Sequence, residues 1–278
     1  MANSRFGYVR GSELDDRLLP QTYVVIRLDG KGFTKFSSAH AFEKPNDKRA
    51  LRLMNEAAKR VLESDLGRGK RGRKGNGGGI LLAYGQSDEY SFAFSRRCDA
   101  YNRRASKLLT IVLSTFTAAY IHLWPVHFPE SPLELANLPT FDGRIIQYTS
   151  DEELRDYFKW RQADAHINNL YNTTFWALIQ LGHSTHAEAH AALKGSLSRD
   201  KHSILFDRFR INYNAEPEIF KKGSILLWSK ADADIPSPSV NGEAKDFQPS
   251  QQEFVTIIHE DLIKDQWWES GAGFGLLA

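Results

Sequence analysis

Two acidic positions set 59 residues apart carry the strongest chemical signal in this 278-residue sequence. Asp29 ends the apolar run YVVIRLD, and Asp88 and Glu89 sit in GQSDEY. Carboxylates brought together repel, and a divalent cation relieves the repulsion. Oxygen-only sites of this kind suit Mg²⁺, which is commonly shared with substrate phosphates. Two such ions can activate an attacking hydroxyl and stabilise a leaving oxygen in phosphoryl transfer. Side chains alternate along a straight strand, so Asp88 and Glu89 cannot both point inward. Asp88 is the expected ligand and Glu89 a supporting acid. The same acids could instead cap turns at strand ends.

Gly30, Lys31, Gly32 and Phe33 follow the first acid directly. Glycines let backbone N–H groups close around an anion. Lys44 and the N-terminus of the helix after it could add contacts to the same phosphate. A plain strand-to-loop turn is the alternative. Arg103, Arg104 and Lys107 open a long helix, with 103 and 107 on one face. They are read either as a phosphate contact or as a solvated face. The segment 161–178 puts Gln162, His166, Asn168, Asn169 and Asn172 on an otherwise aromatic helix. Asn is a poor helix former, so its amides need partners. Those partners are either an internal network or the bases and riboses of a nucleic acid. His183, His186 and His190 share a helix face, but no acidic or Cys ligand at familiar spacing accompanies them. Gly67, Gly69 and Gly72 spell G-x-G-x-x-G after a helix instead of a strand, so they are not a dinucleotide fingerprint. No G-x-S-x-G elbow is present.

These residues need elements to position them. The continuous β-branched run at 23–29 reads as a buried strand. KPND at 44–47 starts a helix that runs to 63, with Pro near its first turn and Asn or Asp as cap. Residues 66–79 form a Gly-rich loop with five basic residues and no acidic one, read as a flexible insert. Strands at 80–84 and 89–94 flank a turn at 85–88. A helix over 100–122 and a strand at 144–148 complete the order β-α-β-β-α-β, the split βαβ or ferredoxin-like arrangement. The fold class is therefore α+β. Beyond 150 the chain reads mostly helical, at 152–181 and 184–194. Short strands are expected in ILFDRFRINYN and GSILLWS. The expected organisation is a catalytic region over 1–150, a helical region over 151–230 and an acidic, flexible tail over 231–278.

Composition excludes some classes. With hydrophobic residues at 41% and charged residues at 25% the chain is globular, not disordered. Cys98 is the single cysteine, which rules out an intramolecular disulfide and a Cys-based zinc site and suits a reducing compartment. The N-terminus carries no apolar stretch of a secretory signal. The uncharged run 108–129 is broken by Pro125 and carries Thr, Ser and His, so a buried helix is expected and no membrane partner.

Several motifs coincide in order: RLDGKGF, KPND, AYGQSDEYSF, RRASK, STFTAAY, FDGR, WRQADAHINNLYNTTFWAL, KGSLSRDK, ILFDRFRINYN and FKKGSILL. Together they resemble the eukaryotic tRNA-His guanylyltransferase family over residues 3–228. The resemblance implies an enzyme that adds a guanosine to the 5′ end of tRNA-His, growing the chain 3′→5′. ATP adenylylates the tRNA 5′-phosphate, the GTP 3′-hydroxyl attacks and releases AMP, and pyrophosphate is removed. It implies a core similar to the palm of polymerases and cyclases, two Mg²⁺ ions, and a homotetramer whose subunits share one tRNA. Asp29 and Asp88, with the Gly30 carbonyl, match the metal-binding positions, and Glu89 matches the neighbouring catalytic acid. Lys31, Gly32, Phe33, Thr34, Lys44, Asp47, Ser87 and Lys107 fall where the family holds nucleotide and phosphates. His166, Asn169, Lys201 and Asn212 fall in motifs linked with tRNA use or activity, and Arg103 and Arg104 join them as candidates. Many members carry His where this chain has Thr34, and the basic Gly-rich insert is longer than expected. The nucleus or cytoplasm is the expected compartment, with the mitochondrion also open.

Two other functions fit the same core: a template-dependent 3′→5′ polymerase repairing tRNA 5′ ends, and a non-catalytic RNA-binding module. The formal charge of +2 hides a division. After Ala231 there are nine acidic and two basic residues, leaving 34 basic and 25 acidic before it. A basic body suits a tRNA partner, whose phosphates make affinity fall as salt rises. The acidic tail is expected to be dispensable for catalysis.

Overall fold

The computed structural model describes residues 5–69, 78–230 and 253–277. Most of the expected basic insert and the Pro/Ser-rich stretch 231–252 lie outside the described residues.

In chain order the elements are β1 (Tyr23–Gly30), α1 (Phe33–Ala39), α2 (Lys48–Glu63), α3 (Asp65–Arg68), β2 (Ile80–Gln86), β3 (Glu89–Phe94), α4 (Ala105–His127), β4 (Phe141–Tyr148), α5 (Asp151–Gln180), α6 (His186–Leu193), α7 (Ser198–Ser203), α8 (Glu218–Lys222), β5 (Ser224–Lys230), β6 (Glu253–Ile258) and α9 (Asp265–Glu269). The strands form one six-stranded sheet in the order β4-β1-β3-β2-β5-β6. Every neighbouring pair is antiparallel.

Strand alternation divides the core between two faces. Val24, Ile26 and Leu28 of β1 join Phe92 and Phe94 of β3 under α2 and α4. Val112, Phe116, Tyr120 and Trp124 recur every fourth residue along α4 and form its buried face. This is how a largely apolar 23-residue helix, with Lys107 as its one Lys, Arg, Asp or Glu, serves as a core element. On the opposite sheet face Tyr23, Val25 and Ala93 meet Leu154, Tyr157 and Phe158 of α5. A capping box starts α5: the Ser150 hydroxyl accepts from Glu153 N at 3.1 Å, and the Glu153 carboxylate accepts from Ser150 N at 3.1 Å.

Two expectations fail in the second half. The segment ILFDRFRINYN holds no described strand; α7 runs on into a π-helical turn, Ile204–Arg208. Leu205 and Phe209, one helical turn apart, pack together on Leu170 and Ala177 of α5. Side-chain burial against a helix thus overrides the β propensity of Ile and Phe. The region after Ala231 is also not a flexible tail throughout. Residues 253–258 form β6, the edge strand of the sheet, and Leu262, Trp267 and Trp268 fill the core under α5. The Trp268 indole N–H donates to Leu262 O at 2.9 Å, and the Tyr23 hydroxyl to Leu277 O at 3.2 Å.

Candidate active site

Asp29 is the penultimate residue of β1, and its register partners are Glu89 on β3 and Asp142 on β4. Directly opposed residues of antiparallel strands project from the same face. One rung of the sheet therefore carries three carboxylates. The residues two positions along, Arg144, Arg27 and Ser91, form the next rung on that face. Arg27 bridges the rungs, with Nη2 3.4 Å from Asp29 and Nε 3.7 Å from Glu89. Arg161 of α5 closes from above, its Nη1 3.0 and 3.3 Å from the two Glu89 oxygens.

Asp88 occupies the two-residue turn between β2 and β3 with Ser87, whose φ is +50°. Gly30 N donates to Asp88 O at 3.0 Å, which ties the end of β1 to this turn. The Ser87 hydroxyl donates to the Asp88 carboxylate at 2.9 Å. A Cβ at Gly30 would collide with the Phe33 ring and lie 2.8 Å from Asp88 Oδ2. Gly30 is thus the residue that lets β1, α1 and the hairpin turn meet.

Burial pushes the Asp88 carboxyl above its ordinary range, the Ser87 hydroxyl partly offsets this, and the Asp29 charge adds to it. Burial likewise raises Glu89 in spite of Arg161 and Arg27. In both, the loss of water around the carboxylate outweighs its favourable partners.

Two adjoining hollows share the Asp88 turn. The first, of about 310 Å³, is lined by Phe33, Thr34, Ser37, Lys44, Asp47, Met54, Ser87, Asp88 and Tyr120, among others. The second, of about 270 Å³, is lined by Asp29, Asp88, Glu89, Asp164, Asn168, Asn169 and Asn172, with Pro45 and Asn46 common to both. The hollows thus gather Asp29, Phe33, Thr34, Lys44, Asp47, Ser87, Asp88, Glu89 and Asn169 from distant parts of the sequence. Lys44 Nζ donates to the Ser37 hydroxyl at 3.0 Å. Asp47 caps α2 and accepts from Glu43 N, Arg49 N and the Arg49 guanidinium. Burial opposes its charge, but these donors outweigh burial and hold it below the ordinary range. Asp47 therefore shapes the loop that carries Lys44. Lys31 and Gly32 border the site without lining either hollow. Lys31 N is tied to Thr140 O, and Gly32 caps α1 at φ +70°.

Arg103, Arg104 and Lys107 lie at the other end of the sheet, not beside the carboxylates. Arg103 donates to Cys98 O, Thr22 O and Thr22 Oγ1. Thr22 precedes β1, so it lies about 23 Å from Asp29 at ~3.3 Å per residue. Only 8% exposed, Arg103 is a buried strut. Arg104 pairs with Asp16 at 3.3 Å. Lys107 lies 13 residues before Tyr120 on α4, about 20 Å along its axis. The sequence places this helix just after the strand that follows Asp88, but that strand carries the chain away from the acids first.

The amides of α5 form largely an internal network. Gln162 donates to Lys222 O and Glu260 O and accepts from Leu262 N. Asn169 accepts from Asn46 at 2.9 Å and donates to the Tyr213 hydroxyl at 2.9 Å. His166 packs its ring 5.7 Å from that of Tyr213. Lys201, 9% exposed, donates to Ser196 O. Asn212 caps the turn Tyr213–Ala215. His166, Lys201 and Asn212 line neither hollow. Of the three clustered histidines, His190 shares a hydrogen bond with Tyr171, and His186 packs on Phe175 and Trp176. Among the described residues no group of three or more His, Cys, Asp or Glu side chains is gathered as a metal cage. The sequence reading missed Arg27, Arg161, Asp142 and Asp164, because only strand register and the docking of α5 bring them to the acids.

Residues 6–149 match the model of the tRNA(His) guanylyltransferase family, and residues 152–264 match that of the Thg1 C-terminal domain. The chain belongs to the tRNA(His) guanylyltransferase family. Its members are nucleotidyltransferases, and the match extends past Ala231, further than the motifs alone suggest. The tRNA(His) guanylyltransferase of Neurospora crassa is 49% identical over 97% of this chain and 94% of its own. That of Schizosaccharomyces pombe is 49% identical over 97% of both. The crystal structure of the Saccharomyces cerevisiae tRNA(His) guanylyltransferase superposes with a TM-score of 0.72 at 47% identity, covering 80% of this chain and 92% of that one. A bacterial Thg1-like protein in complex with ATP shares the fold, with a TM-score of 0.66 at 20% identity over 94% of both chains. The reading as a non-catalytic RNA-binding module falls on family membership. It also falls on packing, since the sheet face opposite α2 and α4, which such a module leaves open to bases, is covered by α5, with Tyr23, Val25 and Ala93 against Leu154, Tyr157 and Phe158.

Proposed function

We propose that this chain adds a guanosine to the 5′ end of tRNA-His with ATP and GTP as co-substrates. The observation that carries the reading is the meeting of Asp29 and Asp88 in the second hollow, whose Ser87–Asp88 turn also lines the first hollow with Lys44. The first four strands in sequence, ordered β4-β1-β3-β2, support a ferredoxin-like, palm-like core extended by β5 and β6.

The donor set suits Mg²⁺: the carboxylates of Asp29 and Asp88 and the carbonyl of Gly30 are hard oxygens, and Asp88 is half-buried beside a like charge. When bound there, two Mg²⁺ ions would neutralise phosphate charge and lower the barrier to attack by a hydroxyl. The chain's own residues do the rest. Lys44 and Ser87 are placed to bind triphosphate oxygens. Phe33, Met54 and Tyr120 give the first hollow an apolar wall for a base. Asn168 and Asn172 offer amides to the second reacting end. Each step joins an oxygen nucleophile to a phosphorus centre, so positioning and charge neutralisation supply most of the rate. One turn shared by two hollows can hold two substrates in turn. A homotetramer acting in the nucleus or cytoplasm is part of the same proposal.

The test supplies the full chain with tRNA-His lacking the extra guanosine, ATP, labelled GTP and Mg²⁺. Label at the 5′ end that depends on the tRNA-His anticodon supports the reading. Template-matched extension of several truncated tRNAs would replace it with 5′-end repair.

A further inference from the structure

We propose that Arg161 is a positioning residue that withholds the Glu89 carboxylate from a cation held by Asp29 and Asp88. Through Arg27 it also keeps Asp29 aimed. The inference rests on the metal reading above.

Glu89 would otherwise be the natural third carboxylate at the cation. It adjoins Asp88 in the chain and opposes Asp29 in the β1–β3 register. Yet both of its oxygens face one guanidinium, at 3.0 and 3.3 Å. Arg161 is 5% exposed and Glu89 9%, so this is a buried ion pair. Arg161 is itself fixed from two further sides. Its Nη1 lies 3.4 Å from Asp164, and its Cζ stands 3.5 Å over the Trp160 ring. Turning Glu89 toward a cation would break charge-assisted hydrogen bonds and leave Arg161 buried without its main partner.

Arg27 carries the effect to Asp29. It shares Glu89 with Arg161 and reaches the Asp29 carboxylate at 3.4 Å. With Arg161 in place, Arg27 stands between the two acids. Without it, Glu89 is left with Arg27 alone, and one of its oxygens is free to turn toward Asp88. Affinity for a hard cation rises with the number of charged ligands. The chemistry needs the cation shared with phosphates, so a third carboxylate would hold it too tightly and in the wrong place.

Mn²⁺ is the probe, its free concentration read by electron paramagnetic resonance on the full chain without nucleotide or tRNA. Arg161→Gln is expected to bind Mn²⁺ about tenfold more tightly than wild type, because it gains a ligand. Adding Glu89→Gln to that variant returns the affinity to the wild-type value. Glu89→Gln alone stays within about threefold of wild type, the loss of one charge without the loss of a ligand. In guanosine addition Arg161→Gln lowers kcat and leaves the KM for GTP near wild type, while Arg161→Lys recovers part of kcat. Unchanged or weaker Mn²⁺ binding by folded Arg161→Gln overturns the inference. So does a loss of about tenfold or more in Glu89→Gln, which would make Glu89 itself a ligand. If Arg161→Gln loses its near-ultraviolet circular dichroism, Glu89→Gln decides alone, since its amide oxygen still accepts from Arg161. Failure of the wild type to bind Mn²⁺ overturns the metal reading and this inference together. Wild-type binding with no change in Arg161→Gln overturns this inference only.

Discussion

Gly30 N donates to the carbonyl of Asp88 at 3.0 Å, so one backbone hydrogen bond joins acids that stand 59 positions apart. The residue making that bond has no room for a side chain: a Cβ there would collide with Phe33 and approach Asp88 Oδ2 to 2.8 Å. Gly30→Ala is therefore expected to destabilise the fold by about 1–3 kcal/mol through overpacking. Activity should fall much further than stability, because the displaced group is the Asp88 carboxylate. Urea unfolding beside a guanosine-addition assay separates the two effects. Equal, small losses in both would show that the contact is not functional.

The C-terminal residues are expected to be structural. Trp268 is 2% exposed and packs under α5, while β6 covers the edge of β5. Trp268→Ala should cost about 3–5 kcal/mol, and a chain ending at Lys230 should lose cooperative unfolding. The sequence suggests a dispensable acidic tail, and a truncated protein with wild-type unfolding would restore that view.

Arg103 is expected to matter for folding and not for RNA. Arg103→Ala leaves Thr22 O and Cys98 O without their buried donor, at a cost of about 1–3 kcal/mol. The slope of log affinity for tRNA against log salt should not change, since no phosphate contact is lost. A shallower slope in the folded variant would return Arg103 to the RNA interface.

His166 gives the protein a predictable acid sensitivity. Burial lowers its pKa below the ordinary 6.5, and the nearby His202 and Lys221 lower it further. The unfolded chain therefore takes up this proton first. The stability that His166 contributes is fully present above about pH 6.5 and is lost as pH falls through its folded pKa. His166→Gln should flatten the decline in melting temperature below pH 6.5, measured by calorimetry from pH 7.5 to 5. An unaltered decline would assign the acid sensitivity elsewhere.

The sequence makes the first four strands, their intervening helices and the acid pair legible. Those features rest on local patterns: a continuous β-branched run in β1, a cap at Asp47 and a hairpin turn at Ser87 and Asp88. The failures were long-range. Nothing local says that β3 carries the chain away before Arg103 and Lys107, or that FVTII joins the sheet after a gap of more than 20 residues. The role of Arg161 needed the register of β1 on β3 and the docking of α5, neither of which hydrophobic period encodes. The Asn-rich stretch of α5 left two readings open. The bonds of Asn169 to Asn46 and Tyr213 place its amide in an internal network, while Asn168 and Asn172 face the second hollow.

The central claim is that the Asp29–Asp88 site performs guanosine addition. Its most direct measurement is incorporation of labelled GTP at the 5′ end of tRNA-His by wild type, Asp29→Ala and Asp88→Ala, each shown to be folded by circular dichroism. The account predicts Mg²⁺-dependent incorporation by wild type and a loss of at least about 10²-fold in both variants, the scale expected when a group that stabilises transition-state charge is removed. Wild-type incorporation retained by either folded variant would contradict it.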